Sequence, residues 1–165
     1  MGRMEKTRID ILLNNTVLSN FGLVNQMKLL QQAVRNRAAT TKAVLREFHQ
    51  GIELGYLPSI SMDWLVILEL DEEEKAIFQL LNQRYGAGEA SCLAVAQKRG
   101  MKFVTDDRDA RRYAQRLGIP VSGTIGILVD LIRLKVLSLQ EANSILREMI
   151  HSGYHSPLED LSVLV

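Results

Sequence analysis

The sequence predicts an α/β fold with a mostly parallel central sheet, and three observations predict it. Strand-like runs near residues 8–13, 64–70, 101–105 and 119–122 alternate with helical segments. Helices outnumber strands, as crossover connections require. Two runs also stop abruptly in polar residues, at Asn14-Asn15-Thr16 and at Thr105-Asp106-Asp107. Open parallel sheets carry their chemistry at the carboxyl ends of strands, so these two polar ends can face one crevice.

The first strand is the run Arg8-Ile9-Asp10-Ile11-Leu12-Leu13, ended by cap-forming residues. A helix follows Thr40 or Thr41, either of which can cap it, and runs through Phe48. The apolar run Trp64–Leu70 precedes Asp71-Glu72-Glu73-Glu74, where Asp71 caps and Glu74 completes a capping box; Ser138 and Glu141 repeat that pattern for a later helix. From Ala90 to Ala96 the helix after Gly86 is small and apolar nearly all round, the mark of close packing on more than one side. Met101–Thr105 is a strand leading to a helix that starts near Arg108. Pro58, Pro120 and Pro157 fall at element boundaries, where a missing N–H does little harm.

With 165 residues, 47% of them apolar and 24% charged, the chain has the composition of one globular domain spanning 1–165. No apolar run approaches a membrane span, and Met1–Lys6 carries no signal-peptide core, so a cytoplasmic location is expected. A net charge of +1 gives no global drive toward nucleic acid, which leaves any such role to local clusters. One cysteine and three histidines without ligand spacing argue against zinc. Cys92 reads as a small core residue, His151 and His155 as loop or surface residues, and Trp64, Phe78, Leu80 and Leu81 as packing.

Two glutamates stand out. Helical spacing puts Glu89 on the face of Cys92, Leu93 and Ala96, at the start of a buried stripe. It either serves a site or merely complements the helix dipole in the first turn. Glu47 lies one turn beyond Ala43 and Val44, on or beside the apolar face of its helix; taken alone, the favoured reading is a solvated Glu paired with a nearby Arg or Lys.

These residues fall in a recognisable order. Leu13–Phe21, Thr41–Phe48, Gly88-Glu89-Ala90 and Val104-Thr105-Asp106-Asp107 resemble the successive motifs of PIN-domain proteins over nearly the whole chain, most closely those of small prokaryotic VapC-like toxins. The Asp-Asp-x-x-Ala-Arg run and Ser122-Gly123-Thr124-Ile125-Gly126 belong to the same pattern. The resemblance implies a three-layer α/β/α PIN-like domain and a ribonuclease using Mg²⁺ or Mn²⁺, ions suited to hard oxygen ligands. It further implies catalytic positions at Asn14, Glu47, Glu89 and Asp107, and metal ligation by Asn14, Glu89 and Asp107 with Asp106 auxiliary. Thr16 and Thr105 would hold the ligands or their waters by hydrogen bonds. It also implies a small cognate antitoxin and a homodimer.

One departure bears on activity: the family's first acid is Asn14 here. An amide oxygen can ligate a hard cation but brings no charge, so affinity and turnover should fall. An exchange introduced to silence a toxic nuclease and a naturally degenerate, binding-only member both fit this residue. Receiver-like and phosphatase-like chemistry, by contrast, needs an aspartyl nucleophile that the first strand end lacks.

Local charge supplies the candidate RNA contacts. Arg108, Arg112 and Arg116 recur at i, i+4 and i+8, with Arg111 beside them, and Ala110, Tyr113, Ala114 and Leu117 take the other face. The stripe either tracks an RNA backbone or is an ordinary solvated face. The segments 125–134 and 139–150 carry more large aliphatics than one buried face needs, so part of that surface is a candidate oligomer interface.

Overall fold

A computed structural model describes residues 8–165; the reading of Met1–Lys6 falls outside them. The elements run β1 (Ile11–Leu13), α1 (Asn15–Leu23), α2 (Met27–Val34), β2 (Ala38–Thr41), α3 (Lys42–Glu53), β3 (Val66–Leu68), α4 (Glu72–Leu81), α5 (Ala87–Arg99), β4 (Lys102–Val104), α6 (Arg108–Arg116), β5 (Val121–Ser122), α7 (Thr124–Arg133) and α8 (Leu139–His151). A short 3₁₀ turn, Leu161–Leu164, follows. The sheet order is β3-β2-β1-β4-β5 and every pairing is parallel. This is the expected α/β architecture, a central parallel sheet flanked by helices.

The strand order reverses at β1, which makes the carboxyl ends of β1 and β4 the place where flanking connections part and a crevice opens. Asn14 follows β1 and Thr105-Asp106-Asp107 follows β4, so both polar ends lie at that switch point.

Sequence reasoning missed β2. Ala38-Ala39-Thr40-Thr41 has neither alternation nor a run of large β-formers, because all four residues are buried between two strands. Pairing supplies what local pattern lacks: Ala39 sits in register with Leu12 on one side and Val66 on the other. Thr41 is the last residue of β2 and also the cap of α3, its Oγ1 accepting from the Val44 N–H. β1 is shorter than the run 8–13: the Asp10 and Ile11 N–H groups both go to the Arg37 carbonyl (3.0 and 3.1 Å), which breaks the regular ladder at the amino-terminal edge, where the Asp10 carboxylate also pairs with the Arg37 guanidinium.

The other starts hold. Both capping boxes form, Asp71 with Glu74 and Ser138 with Glu141. Helix α5 buries every residue from Ala90 to Ala96, packing on β1, β2 and β4 and against α3, α4 and α6. Helices α7 and α8 turn Ile127, Leu128, Leu131, Ile145, Leu146 and Met149 into the protein's own core, so most of the aliphatics that suggested an interface are already covered. Leu80, read as part of a packed face, is 71% exposed, and Leu117, at the C-cap of α6, is partly exposed. Among the described residues no helix is long and apolar enough to cross a membrane.

Candidate active site

Asn14 directly follows the central strand β1 and is fully buried. Its backbone N–H donates to the Val104 carbonyl (2.9 Å), its Oδ1 accepts from the Asn15 N–H (2.8 Å), capping α1, and its Nδ2 donates to Thr105 Oγ1 (2.7 Å). Both ends of the amide are thus engaged inside the protein. Thr105 Oγ1 also accepts from the Asp107 N–H (3.2 Å), so one buried hydroxyl ties the first strand end to the fourth acidic position. Asp107 caps α6 through Oδ1, which accepts from the Ala110 N–H (2.7 Å).

Glu47 and Glu89 meet where α3 packs on α5. Glu47 Oε1 accepts from the Gly88 N–H (2.8 Å), at the start of α5. A Cβ at position 88 would sit 2.6 Å from that oxygen, so glycine there is what lets a carboxylate lie on the helix start. The arrangement is braced from below: Thr41 Oγ1 and Ser91 Oγ are 2.7 Å apart, and Ser91 Oγ donates to the Gly88 carbonyl (2.8 Å). Burial pushes the Glu47 carboxyl above the usual carboxylate range, the Gly88 N–H opposes this, and the charge of Glu89 adds to it. Two half-buried carboxylates therefore repel each other at this point.

Asp106 has a different part. Its Oδ1 accepts from the Thr124 N–H (2.8 Å) and lies 3.4 Å from the Tyr154 hydroxyl, while Oδ2 accepts from Thr124 Oγ1 (2.6 Å) and Asn20 Nδ2 (3.1 Å). Its backbone N–H donates to Thr16 Oγ1 (3.0 Å). Both carboxylate oxygens thus bind β4 to α7, α1 and the C-terminal segment. Burial and the neighbouring Asp106 push the Tyr154 phenol up. Asn20 and Tyr154 escaped sequence reasoning because each acts alone, 86 and 48 positions from its partner, with no local spacing to mark it.

Cys92 is fully buried and packs in the core, out of reach of a substrate, and burial pushes its thiol above the ordinary range. Arg111, grouped by spacing with Arg108, Arg112 and Arg116, turns inward and donates from Nη1 to the Thr105 carbonyl (2.9 Å), whereas the other three are exposed. His155 is exposed, as expected of a loop residue, but it lines a cavity beside Asp106.

Among the described residues no three acidic, His or Cys side chains converge into a metal cage. The mutually repelling pair Glu47 and Glu89 is still a hard-oxygen donor set in need of positive charge. Mg²⁺ is commonly held by one or two carboxylates together with substrate phosphates, not by a full protein cage. The residues present fit that shared mode of binding, with Asn14 contributing no charge.

Comparison with known proteins identifies the class. Residues 10–162 match the DUF3368 family, a PIN domain, and the chain belongs to that family. The crystal structure of PAE2754 from Pyrobaculum aerophilum is similar in fold, with a TM-score of 0.51 at 18% identity over 79% of this chain and 100% of that one. No curated protein matches the chain significantly.

Proposed function

We propose that this PIN domain is a divalent-metal-dependent endoribonuclease of the toxin–antitoxin kind, held at low activity by Asn14. The observation that carries the reading is the half-buried Glu47–Glu89 pair over the start of α5, a placement that costs stability unless a cation joins it. Glu47 and Glu89 would share Mg²⁺ or Mn²⁺ with the substrate's phosphate, with Asp107 serving the site from the end of β4; the ion when bound supplies an activated water and neutralises charge on the phosphoryl oxygens. The chain's own residues do the positioning. Gly88 and Ser91 fix Glu47, Thr105 fixes Asp107, and exposed Arg108, Arg112 and Arg116 meet the RNA backbone next to Asp107. In this reading the protein works in the cytoplasm, pairs with a small antitoxin and forms a homodimer.

Asn14 also favours a second reading, a PIN domain that binds RNA or a protein partner without cutting. RNA cleavage with Mg²⁺ or Mn²⁺ by the chain as given, by Asn14→Asp, and by Asn14→Asp with Asp107→Ala separates them. Activity that rises about 10²-fold or more in the first variant and vanishes in the second supports the nuclease. Silence from all three, with RNA binding intact, supports the binding module.

A further inference from the structure

Beside Asp106 lies a cavity of about 470 Å³ that the acidic pair does not use. Its size is within the range of small-molecule sites. Two kinds of surface line it. Val121 and Ile125, from β5 and α7, are apolar, as are Leu158 and Leu164 of the C-terminal segment, while Arg108 and Arg111 bring guanidinium groups. Neither arginine forms an ion pair among the described residues, and Arg111 spends one nitrogen on the Thr105 carbonyl. The lining carboxylate, Asp106, is already engaged by Thr124 and Asn20.

An apolar slot joined to two guanidinium groups that make no ion pair among the described residues matches the chemistry of a nucleotide, a flat base bearing an anion. Protein sites that read single-stranded RNA take unstacked bases in this way. The cavity borders the strand end that carries Asp107, so its occupant would be a near neighbour of a phosphate presented to the acids. We infer that the cavity takes one unstacked nucleotide of the RNA strand next to the cleaved bond, and that the C-terminal segment, through His155, Leu158 and Leu164, sets which base is preferred. The inference rests on the RNA reading above. It is tested without any cleavage.

The experiment is an NMR titration of the full chain, in the absence of divalent metal, with each of the four nucleoside 5′-monophosphates and with inorganic phosphate. The His155 ring and the Ile125 methyl groups should shift, the His151 ring should not, and at least one nucleotide should bind about tenfold more tightly than phosphate. Leu164→Trp, at a partly exposed position, should fill the cavity and weaken that binding by about tenfold with the fold intact. His155→Ala should change the order of preference among the four bases. Equal binding of phosphate and nucleotides would reduce the cavity to an anion site and overturn the inference, as would nucleotide binding indifferent to both variants. Nucleotide binding with no cleavage by Asn14→Asp would leave the inference standing and overturn only the nuclease reading.

Discussion

Asn14 and Thr105 are joined across the switch point of the sheet by a buried 2.7 Å hydrogen bond, amide to hydroxyl, although they stand 91 positions apart in the chain. The same hydroxyl receives the Asp107 N–H. Thr105→Val keeps the shape and removes the acceptor, leaving two N–H groups without their partner. The expected cost is about 1–3 kcal/mol, a fall in Tm of roughly 2–4 °C per kcal/mol for a chain of this size. Thr105→Ser should recover most of it. In the Asn14→Asp background the hydroxyl can turn round and donate to the carboxylate, so Thr105→Val there should cost more. Thermal melts of the four variants check this; equal losses in both backgrounds would show that the hydroxyl does not serve position 14.

Gly88→Ala tests the seat of Glu47. The added Cβ would lie within 2.6 to 2.9 Å of all three carboxyl atoms of Glu47 and meets nothing else that close. A flexible carboxylate can swing aside, so the fold should survive with little loss of stability. The catalytic geometry should not, because displacement by about 1 Å can cost about 10²-fold in rate. Cleavage by Gly88→Ala in the Asn14→Asp background, read beside its melting temperature, separates the two effects; full activity would mean that Glu47 is not needed where the structure places it.

Glu47 also gives the protein a pH signature. Its carboxyl is raised in the folded state, chiefly by burial, so the folded chain binds that proton more readily than the unfolded one. Stability from this group is then greatest in acid and is lost as pH rises from the ordinary Glu value through the raised one. Glu47→Gln, still able to accept from Gly88, lacks this dependence. As pH rises above the ordinary Glu value, the melting temperature of the chain as given should therefore fall relative to that of Glu47→Gln. At neutral pH, Mg²⁺ should restore the chain as given and leave the variant unchanged. A difference that stays flat with pH would contradict the electrostatic account.

What the sequence showed and what it hid follow from the range of the forces involved. Asp71 with Glu74 and Ser138 with Glu141 were legible because a capping box closes over three residues. β2 was not, since two alanines and two threonines become a strand only between β1 and β3. Among the candidate site residues, Asn14 and Asp107 were marked by strand ends and Glu89 by a helix start, whereas Glu47, in mid-helix, stood out only through the family resemblance. The bracing was not: Ser91 under Gly88, Asn20 and Tyr154 around Asp106, and the inward turn of Arg111 all depend on partners that only the folded chain brings near.

Asp106 illustrates the difference between adjacency and role. It stands next to Asp107, yet both its oxygens are bonded to α1 and α7. Asp106→Ala should therefore cost about 1–3 kcal/mol through the Thr124 and Asn20 donors it strands. Asp107→Asn, which can still accept from Ala110, should leave the melting temperature nearly unchanged and remove cleavage. Melting and cleavage measured on both variants would reverse this assignment if Asp106→Ala proved the stable, inactive one.

The arginines divide the same way. Spacing groups Arg111 with Arg108, Arg112 and Arg116, but its guanidinium is bound to the Thr105 carbonyl while Arg112 and Arg116 are exposed. Arg111→Ala leaves that carbonyl without its donor, so it should lower stability even in the absence of RNA. Arg112→Glu with Arg116→Glu should leave stability within about 0.5 kcal/mol. The double variant should instead weaken RNA binding and reduce the slope of log affinity against log salt by roughly 1–2, as expected when two phosphate contacts on a single strand are lost. Binding isotherms at several salt concentrations decide the matter, because an unchanged slope would make this stripe an ordinary solvated face and move the RNA path elsewhere on the domain.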